Sequence, residues 1–332
     1  MRSGYAAFIG RPNAGKSTLL NRLVGEKVAI VSPKPQTTRT RILGVVTKPE
    51  GQIAFFDTPG IHQAKGALNK YMVDAAVSAT DDCDVVLFLV ETEGMKEDVE
   101  PSVSPGNRAV LERLKTIGKP VILVLTKIDT IKKHLLLPLI DLYRKEFPFI
   151  EVLPVSARHG EGLAELFEHT LKHLPEGEPI FPADTLTDQN ERTLVEELIR
   201  EQVLRNCHQE VPYSVGVVVE VFDESERDAP PPRAKNQKNK TPPRPENANK
   251  PKLQGLIRLH ANIFVERESQ KAIVIGKRGE MLKTIGTDAR MAIQRLFGTH
   301  IYLSLQVKVE PRWTERADGL RKLGYTASGV KS

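Results

Sequence analysis

The stretch "AAFIGRPNAGKSTLLNRLV", residues 6–24, passes from an apolar strand pattern through a glycine loop into a helical pattern. Gly10, Gly15, Lys16 and Ser17 fit G-x-x-x-x-G-K-[ST], in the strand–loop–helix setting that this signature needs. Glycines let backbone N–H groups turn inward, and the helix that follows presents its positive end to the same point. Such a loop is built for phosphate. The residues expected around it are Gly10, Arg11, Pro12, Asn13, Ala14, Gly15, Lys16, Ser17 and Thr18. Lys16 is expected to reach the β and γ oxygens, and the Ser17 hydroxyl to ligate Mg²⁺.

Working outward, further apolar strands read "GQIAFFDTPG", "DVVLFLVE", "KPVILVLTKID" and "FIEVLPVSA", with amphipathic stretches between them such as 109–117 and 163–174. Continuous apolar strands alternating with helices predict βαβ units and a mostly parallel sheet covered on both faces. This first domain is expected over 1–175, with a proline-rich linker over 176–186. A different module follows over 187–310, in the order α-β-β-α-α-β. Its first helix is expected to be capped by Thr187 or Asp188, and the helix over 280–297 to break at Gly286. Residues 223–252 are rich in proline, lysine and asparagine; too little apolar surface is present to offset ordering, so a disordered insertion is expected there. Residues 311–332 form a tail.

The chain has 332 residues, too many for one compact core. No apolar run approaches the ~20 residues of a bilayer span, and the N-terminus lacks a secretory pattern. A cytoplasmic protein, or one already trimmed in an organelle, is expected. Cys83 and Cys207 sit in no metal spacing and are expected as buried free thiols. Lys and Arg exceed Asp and Glu by one over 1–180, fall short by three over 181–250 and exceed them by eight over 251–332. The basic excess is C-terminal, which suits a polyanion partner there or a solvated basic face.

Four short segments narrow the nucleotide. "DTPG" (Asp57, Thr58, Pro59, Gly60) ends a strand; Asp57 is expected to hold Mg²⁺ through water, and the Gly60 N–H to meet the γ-phosphate. "TKID" (Thr126, Lys127, Ile128, Asp129) ends another; a carboxylate there accepts both N1–H and N2–H₂ of guanine, a donor pair adenine lacks. "SAR" follows the last strand of the domain, where Ser156 and Ala157 bring an N–H to guanine O6. "PQTTR", residues 35–39, supplies Thr38 as a second Mg²⁺ hydroxyl. In the second module, "VIGKRG" leads into "EMLKTIG" and fits the KH signature, whose GXXG loop clamps a nucleic-acid backbone. Ile275, Gly276, Lys277, Arg278 and Gly279 form that loop. Ile273, Ile275 and Leu282 are candidates for a groove floor or for core, and Lys283 and Arg290 for further RNA contacts or a solvated face.

With these segments in this order, the chain resembles a GTPase of the translational superclass, and within it the Era family, which carries a C-terminal KH domain. "GLRKLGY", residues 319–325, is similar to the family's tail. The resemblance implies an α/β P-loop GTPase domain, with a mostly parallel sheet and helices on both faces, followed by an α+β type II KH domain. It implies GTP and GDP as ligands with Mg²⁺, and K⁺ held by Asn13 as an aid to slow hydrolysis. Asn13, Lys16, Thr38 and Gly60 are then the catalytic set; Ser17, Thr38 and Asp57 serve the metal. Implied partners are ribosomal RNA near the 3′ end of the small subunit and that subunit itself, with a role in its assembly. A monomer and peripheral membrane association are implied too, although no amphipathic anchor is visible in the sequence.

The chain departs from the family pattern. The base-reading segment usually begins with Asn; Thr126 offers a shorter hydroxyl, so weaker guanine affinity is expected. Ile61 stands where many small GTPases place a water-orienting glutamine, and Gln63 is a remote substitute. Arg39 and Arg41 lie near the site, but neither is assigned as an arginine finger. The alternative reading is an RNA-binding chaperone that keeps nucleotide as a structural ligand with negligible turnover.

Overall fold

The structure, a computed structural model, describes residues 1–60, 66–94, 101–208, 211–228 and 253–325. Two compact units result: Met1–Leu194 together with Arg312–Ser332, and Val195–Pro311.

The first unit is built on β1 (Arg2–Gly10), α1 (Lys16–Val24), β2 (Ile42–Lys48), β3 (Gly51–Asp57), α2 (Ala67–Asp81), β4 (Val85–Glu91), α3 (Pro105–Ile117), β5 (Val121–Thr126), α4 (Leu136–Glu146), β6 (Glu151–Val155) and α5 (Leu163–Lys172). The sheet order is β2-β3-β1-β4-β5-β6. β1 pairs in parallel with β3 on one side and β4 on the other. Strand alternation explains why the strands read as unbroken apolar runs. Ala6 and Phe8 face a core completed by Leu19 and Leu20 of α1 and Phe167 of α5. Ala7 and Ile9 face the opposite core, with Val110, Leu111 and Leu114 of α3 and Tyr143 of α4. β1 is central, and its C-terminal end lies where the strand order turns outward in both directions. In open α/β sheets that point carries the ligand loop.

β2 pairs antiparallel with β3 and was not visible as a strand in the sequence. The linker expected over 176–186 also packs as part of this unit. The Ile180 and Phe181 N–H groups donate to Gln52 Oε1 at 2.8 and 2.9 Å, and the Val45 N–H donates to Leu186 O at 2.9 Å. Phe181 meets Tyr5 edge-on. A proline-rich segment without period still has backbone groups to satisfy, and the Gln52 side chain on β3 and the Val45 N–H on edge strand β2 satisfy them. The unit boundary therefore falls at Leu194, later than position 187.

The second unit contains most of α6 (Glu191–Asn206), then the single turn α7 (Val211–Ser214), β7 (Gly216–Glu226), β8 (Gln254–Val265), α8 (Glu268–Ile275), α9 (Glu280–Phe297) and β9 (Thr299–Val309). β8 is the middle strand, antiparallel to β7 and parallel to β9. Ile257, Leu259, Ala261 and Ile263 alternate into the core, as do Val274 of α8 and Ile285, Ala289 and Ile293 of α9. Three expectations need correction. α6 is capped by Asn190, whose Oδ1 accepts from the Thr193 N–H at 2.8 Å; Thr187 instead receives the Gln189 N–H in a local turn. α9 is continuous through Gly286, which does not break the helix; a Cβ there would make only an ordinary contact, 3.4 Å from Leu305 Cδ1 on β9. Residues 223–226, assigned to the disordered insertion, belong to β7: Asp223 pairs with Arg258, and Glu226 binds the Arg258 guanidinium at 2.7 Å. The remainder of that stretch, 229–252, lies outside the described residues.

The chain then re-enters the first unit through Arg312 and ends its described course with α10 (Ala317–Lys322) and Tyr325. Both cysteines are buried free thiols, as expected. Among the described residues no helix is long and apolar enough to cross a membrane.

Candidate functional site

The glycine loop leaves β1 at Gly10 and enters α1 at Lys16. Gly15 caps the helix in the left-handed region at φ 91°, and Asn13 takes the same region at φ 66°. The turn is tight: a Cβ on Gly10 would meet Leu89 O at 2.6 Å. Lys16 folds back under the loop, its Nζ donating to Gly10 O at 3.2 Å and Arg11 O at 2.9 Å. Burial pushes its ammonium down to about 8, with Asp57 and Glu91 opposing that shift. Arg11 gives the loop only its backbone, since its guanidinium bonds Ser104 Oγ. Pro12, Ala14 and exposed Thr18 complete the loop.

Three segments distant in sequence meet beyond Ser17. The Ser17 hydroxyl donates to Asp57 Oδ2 at 2.5 Å and lies 2.8 Å from Thr38 Oγ1, which itself reaches Asp57 Oδ2 at 3.2 Å. Asp57 is fully buried, and burial raises its carboxyl above the usual range against the pull of Lys16, Ser17 and Thr38. Its Oδ1 is buried with no hydrogen-bond partner. Two hydroxyls, a buried carboxylate and an unsatisfied oxygen are the hard oxygen donors that suit Mg²⁺, which keeps waters and takes few protein ligands. The residues fit the ion. Thr58 anchors the strand end through Phe8 O at 2.6 Å, and buried Pro59 leads to Gly60. Gly60 lies so close to the loop that a Cβ would stand 2.5 Å from Pro12 N.

The second wall comes from the ends of β5 and β6. Thr126 Oγ1 donates to Ala14 O at 2.8 Å, so the shorter residue still braces the glycine loop. Its hydroxyl is committed there. Lys127 adopts φ 59° and reaches Glu91 and Glu93 at 2.8 and 2.5 Å; burial opposes its charge, but the two carboxylates hold the ammonium above its ordinary range. Ile128 faces the core. Asp129 Oδ1 accepts from Ser156 Oγ at 2.6 Å, the main reason its carboxyl lies below the usual range. Ser156 is fixed in turn by the Glu161 carbonyl, and Ala157 follows it against the core. A charged, oriented carboxylate beside a strand end matches the donor edge of guanine.

Neither arginine is free to serve as a finger. Arg39 is 1% exposed and Arg41 pairs with Asp82 while lying over the Phe56 ring at 4.5 Å. Ile61 and Gln63 lie outside the described residues. The sequence reading also missed the partners of Arg39, which sit almost three hundred positions away.

In the second unit the loop joins α8 to α9. Gly276 (φ 74°), Arg278 (φ 53°) and Gly279 (φ 81°) occupy the left-handed region, and a Cβ on Gly276 would strike Met281 at 2.5 Å. Lys277, Arg278, Lys283 and Arg290 are exposed, all on the loop or α9. Ile273 is 38% exposed, while Ile275 and Leu282 are half-buried beside it. Cations at a helix start flanked by apolar surface suit a phosphate path with bases laid alongside.

The family profile described as 50S ribosome-binding GTPase matches residues 5–127, and that of the KH domain matches residues 246–314. GTPase Era of Geotalea uraniireducens is 47% identical over 324 residues, covering 98% of either chain. GTPase Era of Syntrophus aciditrophicus is 45% identical, over 98% of this chain and 95% of its own. Among solved structures, a point variant of Aquifex aeolicus Era bound to GDP·AlF4⁻ superposes with a TM-score of 0.83 at 39% identity, over 98% and 99% of the two chains. Era in complex with MgGDPNP and nucleotides 1506–1542 of 16S ribosomal RNA superposes equally well, also at 39% identity. With a GTPase domain followed by a KH domain in one chain, and relatives this similar over its full length, the chain belongs to the Era family of GTPases.

Proposed function

We propose that this GTPase is a switch that binds ribosomal RNA near the 3′ end of the small-subunit RNA and acts in assembly of that subunit. The observation that carries the reading is the exposed Lys277–Arg278 pair, held between two left-handed glycines at the start of α9. A relative of the same fold was solved with 16S ribosomal RNA bound. Lys16 and the Gly60 backbone would hold the β and γ phosphates, and Ser17, Thr38 and Asp57 would hold Mg²⁺, which would supply positive charge to offset that of the phosphates. The structural-nucleotide alternative is disfavoured, because a diphosphate held for stability has no use for Thr38 and Gly60 converging on the loop. Replacing both Lys277 and Arg278 by glutamate should weaken binding of an RNA carrying the 16S 3′ end by about tenfold or more at 0.1 M salt. Filter binding and crosslinking measure it; unchanged affinity removes the loop from the interface.

Hydrolysis on this reading is slow and stimulated by K⁺. Asn13 sits at the apex of the loop and turns its amide to Pro33 O at 3.0 Å, in the segment that leads to Thr38. A monovalent cation held beside Asn13 would supply the positive charge that neither Arg39 nor Arg41 delivers. GTP turnover should be faster in K⁺ than in Na⁺, and Asn13→Ala should erase the difference; equal rates in both salts for the unmodified chain exclude the cation.

A further inference from the structure

Arg39 follows the metal threonine directly, yet it is 1% exposed. What covers it is the C-terminal tail. Its Nη1 donates to the Tyr325 hydroxyl at 3.4 Å, and its guanidinium lies 5.7 Å from the centre of the Trp313 ring. Trp313 and Tyr325 stack on each other at 5.8 Å with planes 11° apart, and both are buried. The same tail also holds the start of α2. The Leu68 N–H, in the first turn of α2, donates to Thr314 O at 2.9 Å, and Tyr71 meets the Tyr325 ring edge-on at 5.6 Å. α10 packs against α2, and a Cβ on Gly319 would lie 2.8 Å from Trp313 Cα, so the tail is folded tightly on itself. The tail thus grips the segment that carries Thr38, at Arg39, and the start of α2, at Leu68 and Tyr71.

We propose that Trp313 and Tyr325 are positioning residues for GTP binding: by holding Arg39 they place the neighbouring Thr38 hydroxyl beside Ser17 and Asp57, and so favour the triphosphate over the diphosphate. The proposal rests on the reading of Thr38 as a metal and γ-phosphate residue. A backbone fixed at Arg39 has little freedom one residue earlier, and a buried guanidinium that lies over the Trp313 ring and donates to the Tyr325 hydroxyl is costly to release. GDP has no γ-phosphate to order Thr38, so the tail contributes to one complex and not to the other. By linkage, whatever the tail adds to triphosphate affinity the triphosphate returns as tighter packing of the tail.

Trp313 is the chain's single tryptophan, so its emission reports the tail without any label. In the unmodified full-length chain, tryptophan emission is expected to differ between the Mg·GDPNP and Mg·GDP complexes, and superimposable spectra overturn the proposal. Trp313→Ala should weaken Mg·GDPNP about tenfold while leaving Mg·GDP within about twofold, and Trp313→Phe should restore most of the loss. Equal weakening of both nucleotides, or of neither, also overturns it. If Trp313→Ala does not fold, the emission comparison and Trp313→Phe decide alone. Failure of the unmodified chain to bind GDPNP more tightly with Mg²⁺ than without it would instead sink the reading of Thr38 itself, which separates the two failures.

Discussion

Asp129→Asn should lower affinity for GDP and GTP by about a thousandfold and raise affinity for the xanthine nucleotides. Asp129 is held in place by Ser156 Oγ at 2.6 Å and kept charged by that same bond. The carboxylate offers acceptors to two guanine donors, N1–H and N2–H₂. An amide in its place turns a donor toward a donor. Each lost hydrogen bond to a charged group costs about 1.5–3 kcal/mol, and an unpaired partner adds to that, so a loss near 4 kcal/mol is expected. Xanthine carries an oxygen where guanine carries its amino group, so the same amide finds a partner there. The substitution is nearly isosteric, and Asn can still accept from Ser156, so the wall of the site should stand. Titration with GDP, XDP and ADP reads the outcome. Retention of GDP affinity within about threefold would show that the base is read elsewhere.

The parts of this site that were legible in the sequence are those fixed by local geometry. Gly10, Gly15 and Lys16 declare a loop because only that turn needs those residues at that spacing, and Gly276 and Gly279 do so in the second unit. The paired cores were legible because each strand feeds both faces, which leaves no polar alternation to mistake. What escaped reading depends on contacts between distant segments. Edge strand β2 is a short, mostly apolar run that gains its identity by pairing with β3. The proline-rich linker looks unstructured until Gln52 takes its backbone groups. Gly286 looks like a helix break, yet α9 runs through it as one helix packed on β9. Arg39 looks like a candidate finger because nothing near it in sequence announces Trp313 and Tyr325, 274 and 286 positions later. Thr126 looked like a loss relative to asparagine. The structure divides that judgement: bracing of the loop survives through Ala14 O, and the hydroxyl committed to it is withdrawn from the base.

Gly60→Ala should reduce GTP turnover by about a hundredfold or more while GDP affinity stays within about threefold. The added Cβ would lie 2.5 Å from Pro12 N and 2.8 Å from Pro12 Cα, closer than any real contact allows, so one backbone must move. The glycine loop is the stiffer of the two. β1 leads into it between two parallel neighbours, Lys16 Nζ ties Gly10 O and Arg11 O, and Thr126 holds Ala14 O. On the other side the strand is anchored at Thr58 through Phe8 O, two residues before Gly60. The displacement therefore falls on Gly60, whose N–H leaves the γ-phosphate position. On the proposed reading GDP would be held by the loop, Lys16 and Asp129, none of which shifts, so its affinity is expected to be spared. The diphosphate is the internal control: a matching drop in GDP affinity would mean that Pro12 and the glycine loop had yielded, and that Gly60 does not report the third phosphate.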